Sequence, residues 1–151
     1  MKSKDNLLIT WPGHCFLENI VPLLKELHLK YNIYYITVDF DIPDCVLDKL
    51  NELLKGRIIA KYYILPKYEH IFSHFKFLNK IKDLRDLNFT KWISMSNISI
   101  YEKYISENLI PNNCKKIILW TQITYLFENK LLTQKLLNNE HTFIHNNKIK
   151  N

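Results

Sequence analysis

The 151 residues carry 21 Lys and Arg against 15 Asp and Glu, a formal net charge of +6, and 47% of them are hydrophobic. That is one domain's worth of chain, long enough to bury a core and too short for two full domains. No run reaches the roughly 18–20 apolar residues that span a bilayer, and Pro12 and His14 interrupt the first apolar stretch before it attains signal-peptide length.

The cytoplasm is therefore the expected compartment. Cys15, Cys45 and Cys114 are odd in number and widely spaced, which argues against a disulfide framework or a Cys-x-x-Cys zinc site and for buried, inert thiols. The positive charge is not spread evenly. Residues 57–91 hold +5 (eight Lys and Arg, three Asp and Glu) and residues 129–151 hold +3 (four against one), whereas 31–56 hold −3 (two against five).

In chain order, Leu7 to Trp11 reads as a buried strand broken at Pro12-Gly13. A helix follows, with Ile20, Val21, Leu23, Leu24 and Leu27 at helical spacing. Asn32 to Asp39 is β-branched and aromatic and predicts a second strand. Asp44 is placed to cap the next helix, whose stripe is Val46, Leu47, Leu50, Leu53 and Leu54, with Gly56 as its C′ stop. Arg57 to Leu65 is a third strand, ended by Pro66. Residues 68–84 form a helix with Ile71, Phe72, Phe75, Leu78, Ile81 and Leu84 on one face. Phe89 to Met95 is a fourth strand, about 100–109 a helix, Lys115 to Trp120 a fifth strand and 124–137 a last helix. Residues 1–137 thus form a single Rossmann-like domain, and 138–151 a polar, frayed tail.

Strands alternating with helices through short connections predict an α/β, three-layer sandwich around a five-stranded parallel sheet of order 3-2-1-4-5. That order sets the first and fourth strands side by side at the switch point, where open α/β sheets bind their ligands beyond the strands' carboxyl ends. His14 then faces the Ser94, Ser96 and Asn97 loop, with Trp120 and Gln122 close by.

Glycine occurs only at 13 and 56, which removes the Gly-x-Gly-x-x-Gly dinucleotide turn, the P-loop and the Gly-x-Ser-x-Gly elbow. No cofactor site is expected. An imidazole at a strand's carboxyl end can take a proton from a hydroxyl near neutral pH. The plain alternative is a turn histidine bonding a local carbonyl. Asp39 and Asp41 follow the second strand, where a ribose-binding acid often stands, but without the glycine turn they read as solvated loop acids. His70 and His74 share a helix face without a third ligand, and Cys15 reads as packing rather than as a nucleophile. The stretch 61–82 mixes lysines with aromatics, the composition of a helix that lies on an anionic membrane or of an ordinary wet face. No nucleic-acid motif accompanies it, so no nucleic-acid partner is expected.

With these residues in view, 6–137 resembles the amino-terminal half of a GT-B fold glycosyltransferase. The likeness is carried by Pro12-Gly13-His14 after the first strand, by Pro22-Leu-Leu-Lys-Glu-Leu in the helix, and by Lys91-Trp-Ile-Ser-Met-Ser and Lys115-Lys-Ile-Ile-Leu-Trp in the fourth and fifth strands. In that family the amino-terminal domain binds the acceptor and the carboxyl-terminal domain holds the nucleotide-sugar. The resemblance implies His14 as general base, Trp11 and Trp120 as sugar-stacking rings, and Gly13, Ser94, Ser96, Asn97 and Gln122 as acceptor contacts. The family's orienting acid falls near Asn97, an amide here. The implied role is acceptor binding in surface polysaccharide or glycolipid synthesis, with the nucleotide-sugar donor on a partner domain and no activity alone. The implied acceptor is a sugar or a lipid-linked sugar, and 61–82 would dock peripherally at the inner face of the plasma membrane. The alternative is a non-catalytic α/β binding or scaffold module.

Overall fold

The computed structural model describes residues 3–11, 17–39, 42–66, 76, 78–94, 100–120, 143–145 and 148–150. Its centre is a parallel sheet of β1 (Asp5–Trp11), β2 (Tyr31–Val38), β3 (Lys61–Leu65), β4 (Phe89–Ser94) and β5 (Lys115–Trp120), ordered β3-β2-β1-β4-β5. This is the expected Rossmann-like α/β arrangement. The strands are short and apolar because both faces of the sheet are covered.

One face packs on α1 (Leu17–Leu27) and α2 (Asp44–Lys55). There Leu7, Ile9, Ile33, Tyr35, Ile93 and Ile117 meet Ile20, Leu24 and Leu27 of α1 and Leu50 and Leu53 of α2. On the other face Leu8, Ile36, Val38, Leu65 and Trp92 meet Ile81 and Leu84, together with Ile105 of α3 (Ile100–Asn108). The alternation of Leu7 with Leu8 and of Tyr35 with Ile36 is the two-residue period of a strand dividing its side chains between two layers. Lys4 Nζ donates to the His28 carbonyl just past the end of α1 at 2.7 Å, a cation at the negative end of a helix dipole.

A bulge in β4 departs from simple alternation. Asn6 pairs with Phe89 and Leu7 with Lys91, which leaves Thr90 as an extra residue. Phe89 consequently joins Trp92 on one face, edge-on to Tyr34 with ring centroids 5.6 Å apart, and Lys91 turns to the opposite face.

Several local expectations are corrected. Asp44 is the first residue of α2 and makes no capping bond; Pro43 is the N-cap. Gly56 is not the left-handed stop, since its φ is −76° and the left-handed residue is Arg57 at φ 59°. The amide of Arg57 donates to the Leu54 carbonyl (3.1 Å) and that of Ile58 to Leu53 (2.9 Å), the paired bonds of a Schellman motif centred one residue beyond the glycine. That motif occupies the start of the expected third strand, so β3 begins at Lys61. Within the expected 68–84 helix, 76 and 78–81 are helical and Lys82–Asp86 tightens into a 3-10 turn.

The tail also differs from the frayed segment expected over 138–151. β6 (Phe143–His145) pairs parallel to β5, and β7 (Lys148–Lys150) pairs antiparallel to β6 with Ile144 opposite Ile149. β-branched residues opposite one another, on a strand edge with unpaired backbone groups, are enough to extend the ladder. The helix expected over 124–137 lies outside the described residues. Among the described residues no helix is long and apolar enough to cross a membrane.

Candidate functional site

β1 and β4 are neighbours and chain order reverses between them, because β2 and β3 lie to one side of β1 and β4 and β5 to the other. The carboxyl ends of these two strands therefore meet at the topological switch point, where open α/β sheets bind their ligands. Thr10 and Ser94 are register partners there, and Trp11, the last residue of β1, pairs with Thr37 of β2. The segments leaving this rim, 12–16 and 95–99, carry Gly13, His14, Ser96 and Asn97 and lie outside the described residues, as does Gln122. Trp11 and Trp120 are placed as the final residues of β1 and β5, and their side chains lie outside the description as well. Of the expected contact residues, Ser94 alone has a described side chain, and it is fully buried.

What the rim adds to the sequence reading is a set of buried hydroxyls. Thr10, Thr37 and Ser94 are each 2% exposed or less. Trp92 Nε1 donates to Thr10 Oγ1 at 3.0 Å, and Lys116 Nζ sits 3.9 Å from the Trp92 ring centroid, so that indole is held at its edge and on its face. Thr37 lies on the opposite face, one residue from the Ile36 and two from the Tyr35 that mark the two layers, and its Oγ1 has no hydrogen-bond partner among the described residues. A pattern in the sequence foreshadows these three positions: Ile9-Thr10, Ile36-Thr37 and Ile93-Ser94 each place a hydroxyl after an isoleucine near a strand's end.

Elsewhere, Lys61 Nζ lies 2.8 Å from Asp83 Oδ2, Tyr63 Oη donates to the same oxygen at 2.9 Å, and the ammonium is 4.7 Å from the Tyr63 ring centroid. The Lys61 ammonium holds the Asp83 carboxyl below its usual range, and the carboxylate raises Lys61 in return. Both side chains are half exposed, so the trio ties β3 to the 3-10 turn and has no sheltered volume in which to do chemistry. An open cavity of about 310 Å³ lies between the loops before β4 and β5, lined by Arg85, Asp86, Glu107 and Asn108 among others.

The cysteines depart from the buried, inert expectation in one case. Cys45 is exposed in the first turn of α2, whereas Cys114 is half-buried and burial pushes its thiol up to about 11. Cys15, His70, His74 and Asp41 lie outside the described residues. Asp39 is an exposed acid whose backbone amide donates to the Leu65 carbonyl at 2.8 Å. Among the described residues no three His, Cys, Asp or Glu side chains group as a metal site would require.

Comparison with protein-family profiles, with curated proteins and with solved structures finds no match to this chain.

Proposed function

We propose that the protein is the acceptor-binding half of a GT-B type glycosyltransferase serving surface polysaccharide or glycolipid synthesis. The supporting observation is the strand order β3-β2-β1-β4-β5, which makes the ends of β1 and β4 adjacent; in the sequence, Pro12-Gly13-His14 directly follows β1. In this reading His14 accepts the proton of the acceptor hydroxyl as that oxygen attacks the sugar's anomeric carbon. Trp11 and Trp120, at the ends of β1 and β5, offer ring faces to a sugar. In the same reading Gly13, Ser94, Ser96, Asn97 and Gln122 would contact the acceptor.

A GT-B enzyme needs two Rossmann-like units, and the residues described here compose one. The nucleotide-sugar belongs on the second unit, which acts as a partner subunit or domain. Lys76, Lys80 and Lys82 are exposed near the end of the 61–82 stretch, which suits contact with an anionic membrane carrying a lipid-linked acceptor. Lys61, at the start of that stretch, is engaged by Asp83 instead.

The test is a sugar-transfer assay of the chain co-expressed with a donor-domain partner drawn from its genomic neighbourhood. His14→Ala is expected to lower kcat by about 10²–10⁴-fold, the usual contribution of a general base. Unchanged turnover in that variant would remove His14 from the mechanism. Co-sedimentation with anionic liposomes tests the membrane contact, and a protein that stays in the supernatant contradicts it.

A further inference from the structure

The opposite rim of the sheet has a different character. The β4 bulge turns Lys91 inward, where it is only 7% exposed and its Nζ donates to the hydroxyl of Tyr31 while lying 4.1 Å from that ring's centroid. No carboxylate lies within ion-pair distance of it among the described residues. Lys115 is its register partner on β5 and Lys30 immediately precedes Tyr31, so three lysines stand where the strands begin, and both Lys115 and Lys30 act electrostatically on Lys91. Asp5, the register partner of Tyr31 on β1, is the acid among the described residues that acts on Lys91. Burial holds the Lys91 ammonium below its ordinary range; Asp5 works against that, and Lys115 and Lys30 reinforce it.

We propose that this amino-terminal rim binds a small soluble phosphate dianion, held by Lys91, Lys115 and Lys30 and by the Tyr31 hydroxyl. Lys91, Lys115 and Lys30 set against Asp5 leave two positive charges in excess, which a dianion neutralises. A buried cation without a paired anion is costly, and like charges on directly opposed strand residues repel, so the cluster is complemented by an anion rather than by more protein. Because Tyr31 Oη accepts from Lys91, its own hydrogen remains to be donated to a phosphate oxygen. The recessed position of Lys91 favours a phosphate ion or monoester over a headgroup fixed in a bilayer. The site uses none of the residues assigned to sugar transfer and stands or falls separately from that role.

Calorimetric titration of the full chain with inorganic phosphate at constant ionic strength tests the proposal. A saturable one-to-one isotherm is expected, weakened roughly tenfold or more in Lys91→Met, the loss of one charge-assisted contact. Should Lys91→Met fail to fold by circular dichroism, the exposed Lys115→Met, expected to weaken binding less, and Asp5→Asn, expected to tighten it, carry the same test. The proposal is overturned if phosphate gives no saturable heat or if sodium chloride gives the same response. It is equally overturned if Lys91→Met and Lys115→Met bind as the unaltered chain does, or if phosphatidic acid vesicles capture the protein while free phosphate does not bind.

Discussion

Near the carboxyl ends of β1, β2 and β4 the buried polar side chains among the described residues are the hydroxyls of Thr10, Thr37 and Ser94, while Asp39, just after β2, is exposed. At the amino ends of the same strands, and of β3 and β5, the charged side chains of Asp5, Lys30, Lys61, Lys91 and Lys115 gather beside neutral ones such as Asn6 and Asn32. Neutral hydroxyls can be buried at modest cost when a donor such as the Trp92 indole reaches them, whereas charges must be paired, solvated or neutralised. The two rims therefore suit different ligands. The proposed sugar acceptor belongs beyond the neutral rim, and the proposed anion at the charged one.

The contrast can be broken most severely at Trp92. Trp92→Ala removes a side chain that is 1% exposed, its bond to Thr10 and the ring under Lys116, and it should cost about 3–5 kcal/mol in urea denaturation. Among the hydroxyls the sign of the effect is the test. Thr10→Val strands the indole N–H and should destabilise by about 1–3 kcal/mol, whereas Thr37→Val deletes a buried hydroxyl with no partner among the described residues and should stabilise by about 1 kcal/mol.

At the charged rim, Lys91→Met should raise stability at neutral pH by about 1 kcal/mol in the absence of phosphate. The unfolded chain binds the Lys91 proton more tightly than the folded one. Stability of the unaltered protein should therefore climb with pH as it approaches the ordinary lysine value of 10.5, and denaturation of Lys91→Met followed against pH should lose that component. The smallest effect belongs to Arg57, in the turn between α2 and β3. Arg57→Gly keeps the Schellman bonds, relieves the left-handed backbone and should raise the thermal midpoint by the equivalent of about 0.5–1 kcal/mol.

Much of the sheet is legible from local pattern. Lys115 to Trp120 stands out as a strand because β-branched and aromatic residues follow a turn at Pro111, and strand order follows from the short alternating connections. What escapes the pattern depends on contacts between strands. Nothing local marks Thr90 as a bulge; only the pairing of Asn6 with Phe89 and Leu7 with Lys91 reveals it, and that one extra residue decides which layer receives Lys91. Gly56 is the natural guess for a left-handed cap, yet the chain spends its glycine on an ordinary helical position and lets Arg57 take the turn. The polar tail conceals β6 and β7 because two three-residue strands need the edge of β5 before they have anything to pair with. At the candidate site, Gly13 and His14 stand out in the sequence but lie outside the described residues, while Thr10, Thr37 and Ser94, each after an isoleucine, become recognisable as a group of buried hydroxyls once the strand ends are aligned.

The most direct test of the acceptor-half account is a map of backbone amide shifts by NMR as the chain is titrated with oligosaccharide acceptors and, separately, with UDP-, CDP- and GDP-sugars. The account predicts acceptor-induced shifts gathered at Thr10, Trp11 and Ser94, and no tight binding of any nucleotide-sugar by this chain alone. Acceptor-induced shifts confined to the Lys91 rim, or tight binding of a nucleotide-sugar, would contradict it.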